Sequence, residues 1–227
     1  MALGGAECVM AAVCDGMGGL DMGEVSSSEV IRTFEDWFSS NAENLISRFN
    51  PEVTARHWCE MLEGLNRDIR RFSLERDTET GTTFTGILMV NESFMAVHVG
   101  DSRIYHIGSE IRQLTKDHTF VEREVESGRM TRQEAYADNR RNLLLQCVGA
   151  SRRIEPQIVT GKVRTGTYLL CTDGFRHEIS PPEMKEALEA GNLNSKSAMK
   201  KEGRRLIDQA IKRGEKDNIS LILIKKE

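Results

Sequence analysis

The sequence predicts an α+β fold, two packed antiparallel β-sheets flanked by helices in an α-β-β-α sandwich, and three observations carry that expectation. A short apolar run is followed by two long stretches of helical periodicity. The period then switches to β-rich runs separated by short turns, and helical patterning returns near the C-terminus. Strands in a block, with helices before and after them, indicate segregated layers rather than βαβ alternation.

The segment Cys8 to Cys14 is brief, apolar and stopped by Asp15-Gly16, which fits a buried strand better than a helix. After a glycine-rich turn, Val30, Ile31, Phe34, Trp37 and Phe38 recur at helical spacing. Asn50-Pro51 then supplies an N-cap and a first-turn proline to a second helix, whose apolar face is Trp58, Met61, Leu62, Leu65, Ile69 and Phe72. Thr82 to Val90, Phe94 to Val99, Arg103 to Ile107 and Glu110 to Leu114 read as one meander of antiparallel strands. Residues 119–142 are polar, and Thr131 with Glu134 forms a capping box, so a small helical excursion interrupts the sheet. Strands resume at Gln157 to Thr160 and Thr167 to Thr172. Ser180-Pro181-Pro182-Glu183 opens another helix, a last helix ends near Gly214, and Ile219 to Ile224 is the closing strand. With no repeat, low-complexity segment or flexible linker, residues 1–227 read as a single domain.

Composition narrows the function classes. The net charge of −4 mixes both signs, with no basic run interleaved with aromatics, which argues against a nucleic-acid partner. No apolar stretch approaches the roughly 18 residues needed to span a bilayer, and no basic segment followed by an apolar one marks a signal peptide. The five cysteines, Cys8, Cys14, Cys59, Cys147 and Cys171, lack a Cys-x-x-Cys pair and read as reduced thiols, which places the chain in the cytoplasm.

Four aspartates carry the chemistry. Asp15, Asp101 and Asp173 each stand where an apolar strand ends, and Asp217 stands just before one begins. In an antiparallel arrangement those positions share one edge, so the carboxylates converge there. Singly, each has a plainer reading as a solvated turn residue, since Asp-Gly is a common turn dipeptide. Together they repel and raise one another's pKa unless a cation neutralises them. Oxygen-only ligands select Mn²⁺ or Mg²⁺, ions that keep several waters. A pair of such ions about 4 Å apart holds a bridging hydroxide and clamps a phosphoryl group, which points to phosphate-ester hydrolysis.

Val13-Cys-Asp-Gly-Met-Gly-Gly19, Gly81-Thr-Thr83, Val97-His-Val-Gly-Asp-Ser-Arg-Ile-Tyr105, Leu114-Thr-Lys-Asp-His-Thr119, Leu169-Leu-Cys-Thr-Asp-Gly-Phe175 and Asp217-Asn-Ile-Ser220 occur in that order and span nearly the whole chain. Jointly they give a sequence that resembles the metal-dependent protein phosphatases, or protein phosphatase 2C family, most closely its bacterial members. The resemblance implies a serine/threonine phosphatase acting on phosphorylated proteins in opposition to a serine/threonine kinase. It also implies that Asp15 bridges two ions, that the carbonyl of Gly16 binds the first, that Asp173 and Asp217 bind the second, and that Asp101 corresponds to the ligand of a weaker third. Residues 119–142 correspond to the family's flap, beside the substrate groove.

Other residues receive structural readings. His98 alternates along a strand and His118 sits in a loop, Arg103 is expected to pair with a nearby carboxylate, and Gly81-Thr82-Thr83 reads as a close-packed strand start rather than a phosphate loop.

The sequence departs from the family at its start. Members begin with a strand carrying a phosphate-binding arginine, then an Asn-Glu-Asp or Asn-Gln-Asp segment, and nothing before Asp15 matches either. The expectation is a chain lacking that first strand, with an exposed sheet edge and impaired activity. The alternative reading is a non-catalytic phosphatase-like module that binds a regulatory partner. Met17 stands where animal members carry a histidine, and His177 stands where many relatives carry a further acid.

Overall fold

The computed structural model describes residues 2–3, 6–18 and 22–227, which leaves part of the expected glycine-rich turn after Asp15 outside the described residues. The order is β1 (Ala2–Leu3), β2 (Ala6–Val13), β3 (Gly16–Gly18), α1 (Met22–Arg48), α2 (Pro51–Glu75), β4 (Thr80–Thr82), β5 (Phe84–Val90), β6 (Ser93–Val99), β7 (Arg103–Ile107) and β8 (Ile111–Gln113). It continues with α3 (Phe120–Glu126), α4 (Arg132–Ala137), β9 (Gln157–Lys162), β10 (Gly166–Cys171), α5 (Asp173–Glu178), α6 (Pro181–Leu188), α7 (Lys196–Arg213) and β11 (Leu221–Lys226).

Local chemistry sets the helix ends. The Asn50 side chain accepts from the Val53 amide at 3.0 Å, with Pro51 in the first turn of α2. Thr131 with Glu134 and Ser180 with Glu183 both form the expected reciprocal caps. At the end of α7, Gly214 adopts a left-handed conformation.

The strands form two antiparallel sheets, β1-β2-β5-β6-β9 and β11-β10-β7-β8. Successive side chains of a strand point to opposite faces, and here both faces of each sheet are covered. Val30 and Phe34 of α1 and Trp58, Leu62 and Ile69 of α2 pack on Leu88, Val90, Met95 and Val97 of the first sheet. Ile87, Met89 and Ala96 of that sheet meet Ile104, Tyr168 and Leu170 of the second. On the far face, Tyr105, Leu169 and Cys171 pack against Phe175, Met184, Leu188 and Leu206. The layers are therefore α-β-β-α, as expected.

Three expectations need correction. The strands from Thr82 to Leu114 are not one meander: β5 and β6 pair in the first sheet, whereas β7 and β8 pair in the second. The chain changes sheets through Gly100, Asp101 and Ser102, and alternating hydrophobicity reads the same in either sheet. The run from Thr82 to Val90 is divided at Thr83, because β4 pairs with β3 in a small separate ribbon, Gly16 opposite Thr82. The sequence reading has no helix between the strand ending at Thr172 and the helix opening at Ser180, whereas Asp173 begins α5, which is too short for periodicity to reveal. At the sheet edge, among the described residues, β1 pairs with Ala6 and Glu7 of β2.

Candidate metal centre

The acidic residues are positioned by backbone contacts between elements. Thr83 accepts the Asp15 amide on its hydroxyl at 2.9 Å and donates its own amide to the Asp15 carbonyl at 2.9 Å, while Thr82 Oγ1 donates to the same carbonyl at 3.0 Å. Asp15 is thereby fixed to the junction of β4 and β5. At Gly16 any Cβ would lie 2.2 Å from the carbonyl oxygen of Gly23, so this close approach of β3 to α1 requires glycine. The close-packed reading of Gly81 holds as well, with Cys147 and Val148 against it.

The β10–β11 ladder brings the other pair together. It ends at Cys171 opposite Leu221, and Thr172 continues the contact, its amide donating to Ser220 O at 3.1 Å and its hydroxyl accepting from the Ser220 amide at 3.0 Å. Gly174 lies so near Asn218 and Asp217 that a Cβ there would be 2.8 Å from the Asn218 oxygen. Asp173 and Asp217 are thus neighbours although 44 residues separate them in sequence. The strand expected from Ile219 begins at Leu221, because residues before it serve this junction.

The four carboxylates do converge. Burial first, and then the charges of Asp173, Asp217 and Asp101, push the Asp15 carboxyl up to about 7. Asp101 is also raised, to about 6, because its burial outweighs the opposing charge of Arg176. Oδ1 of Asp173 is buried and has no hydrogen-bond partner among the described residues. A carboxylate oxygen left so is costly, and a cation removes that cost. No three Asp, Glu, His or Cys side chains close into a ligating cage among the described residues. Asp15, Asp173 and Asp217, open on the Asp217 side, could supply oxygen donors of the type a hard divalent ion takes while retaining its waters.

Several neighbours were not singled out as site residues by sequence. His177 lies between Asp173 and Glu215, 3.8 Å from Asp173 Oδ2 and 3.4 Å from Glu215 Oε2, and burial lowers its pKa. Glu215 accepts the amides of Lys216 at 2.7 Å and Asp217 at 2.9 Å, which shapes the turn presenting Asp217. Arg103 pairs with Asp117 as expected, through Nε and Nη2 at 2.7 Å each. His98 is fully buried, its Nδ1 2.8 Å from Thr85 Oγ1, and burial depresses its pKa to about 3. His118 Nδ1 accepts from the Gly100 amide at 3.3 Å. His98 thus ties β6 to β5, and His118 ties its loop to the turn at Gly100. Met17 is 39% exposed and its sulfur lies 3.1 Å from that of Cys147.

The layers and the carboxylate cluster define an α-β-β-α sandwich with an acidic edge suited to hard cations. Residues 2–219 match the family model for protein phosphatase 2C, and the chain belongs to that family. It is 33% identical over 216 residues to the serine/threonine protein phosphatase PstP of Mycobacterium tuberculosis, covering 93% of this chain but only 39% of that protein's length. The serine/threonine phosphatase stp of Listeria monocytogenes serovar 1/2a is 30% identical over 220 residues, with 95% of this chain and 83% of that protein covered. Among solved structures, a bacterial serine phosphatase superposes with a TM-score of 0.82 at 29% identity, covering 96% of this chain and 86% of the other. The catalytic domain of PstP, solved with two manganese ions, gives a TM-score of 0.70 at 28% identity, covering 96% and 89%. No described helix is long and apolar enough to cross a membrane.

Proposed function

We propose that this chain is a metal-dependent protein serine/threonine phosphatase, with Asp15, Asp173 and Asp217 holding a pair of Mn²⁺ or Mg²⁺ ions and the Gly16 carbonyl completing the set. The observation that carries this reading is the unpartnered, buried Oδ1 of Asp173 beside an Asp15 whose carboxyl is raised by burial and then by neighbouring negative charge. Bound there, such ions supply Lewis acidity, lowering the pKa of water and neutralising charge on a phosphoryl group.

The chain's own residues supply position. Thr82 and Thr83 fix the Asp15 backbone, so its carboxylate is preorganised at the end of β2. The Thr172–Ser220 contacts hold Asp173 against Asp217, and His177 with Glu215 packs around that pair. Residues 119–142, carrying α3 and α4, form the flap that borders the substrate, and residues 1–227 act as one domain. The substrates are phosphoserine and phosphothreonine in cytoplasmic proteins, placed there by a serine/threonine kinase.

Phosphate release from phosphoserine and phosphothreonine peptides, measured in Mn²⁺ and again with excess chelator, tests the proposal. Hydrolysis that needs the ion is expected. No release from any phosphopeptide in Mn²⁺ would favour the partner-binding module instead.

A further inference from the structure

Arg176 stands three residues after Asp173 on α5 and is only 11% exposed. Its Nη2 lies 2.9 Å from Asp101 Oδ2 and its Nε 3.3 Å from the Asp101 carbonyl oxygen. The same Nη2 is 3.6 Å from Oδ2 of Asp117, which Arg103 already grips from the other side. Two guanidinium groups and two carboxylates thus form a buried cluster whose charges balance internally.

The consequence for Asp101 is electrostatic. A divalent ion seated on its carboxylate would lie against a guanidinium held by two acceptors of the same residue and a third on Asp117. Like charges at that range repel strongly when solvent is excluded. The next residue, His177, turns to Asp173 and Glu215 and brings no additional negative charge toward Asp101. Removing Arg176 would leave Asp101 and Asp117 sharing one arginine.

We propose that Arg176 is the built-in cation of this site. It neutralises Asp101, excludes that carboxylate from the metal ligands, and confines divalent ions to Asp15, Asp173 and Asp217. Arg176 is a positioning residue: it clamps the turn at residues 100–102 to α5 and so fixes the wall beside Asp173.

The inference rests on the metal reading of the other aspartates, and calorimetric titration with Mn²⁺ separates the two. Asp101→Asn is expected to keep the native number of Mn²⁺ equivalents and to change affinity by less than about tenfold, while Asp173→Asn loses more than about 100-fold. Loss of an equivalent in D101N, with its fold intact by circular dichroism, overturns the role given to Arg176. Native binding in D173N overturns the metal reading instead, and D101N still judges Asp101. Arg176→Met serves as companion should D101N fail to fold. Freed of the guanidinium, Asp101 is expected to take up one further equivalent, and a count identical to the native chain's overturns the proposal.

Discussion

Arg103 grips Asp117 through a two-point fork, Nε to Oδ1 and Nη2 to Oδ2, each at 2.7 Å, with the Tyr105 hydroxyl accepting from Nη1 at 2.8 Å. Burial alone would raise the Asp117 carboxyl, but Arg103 outweighs it and the pKa is lowered. Asp117 is 6% exposed, so an unpaired charge there finds little water.

Arg103→Ala is therefore expected to destabilise the fold by about 3–5 kcal/mol, the cost of stranding a buried charge. Equilibrium urea unfolding measures it. A loss below about 1 kcal/mol would mean that Arg176 alone satisfies Asp117, since exposed pairs are worth about that little.

Thr83→Val keeps the shape of the side chain and removes the acceptor of the Asp15 amide, along with the hydroxyl 3.0 Å from Ser102 Oγ. Leaving that amide without its partner is expected to cost about 1–3 kcal/mol. Looser placement of Asp15 should also weaken Mn²⁺ binding about tenfold or more. Thermal unfolding and ion titration of the same sample read the two effects, and unchanged ion binding would separate Thr83 from the site.

The acidic edge predicts a pH dependence that the ion reverses. The folded pKa of Asp15, about 7, lies above the ordinary carboxylate range, and Asp101 is displaced the same way, to about 6. For such groups the stabilising contribution is complete below the unfolded pKa and is lost as pH rises through the folded one. Without metal, the native chain should lose Tm relative to Asp15→Asn between about pH 4 and 7. Mn²⁺ should raise the native Tm more at pH 8 than at pH 5. Parallel pH profiles for the two metal-free chains would contradict the raised Asp15 pKa.

At Gly16 an added methyl meets the Gly23 carbonyl oxygen at 2.2 Å, backbone against backbone, with no flexible side chain to yield. Gly16→Ala should destabilise by about 1–3 kcal/mol. Chemical denaturation checks this, and a neutral effect would show that β3 and α1 are not packed so closely.

Much of this architecture is visible in the sequence because the signals are local. Asn50-Pro51, Thr131 with Glu134, Ser180 with Glu183, and Gly214 mark helix ends by chemistry confined to a few residues. Strand ends marked by Asp15, Asp101 and Asp173, with Asp217 ahead of β11, placed the four carboxylates at one edge. The less legible features depend on long-range partners. The passage from β6 to β7 crosses between sheets, yet Gly100, Asp101 and Ser102 read like the short turn of a hairpin within one sheet. Thr83 reads as an ordinary strand residue, and its grip on Asp15 spans 68 positions. Nothing local to Arg176 singles it out, because its partner, Asp101, is 75 positions away. A six-residue helix such as α5 carries too little period to reveal which side turns inward.

The central claim is that Asp15, Asp173 and Asp217 together hold the ions that hydrolyse a phosphoester. The most direct test is the initial rate of phosphate release from a phosphothreonine peptide in saturating Mn²⁺, comparing the native chain with folded Asp173→Asn. A fall of at least about 100-fold is predicted, with no rescue at higher pH. A native rate in D173N would contradict the account.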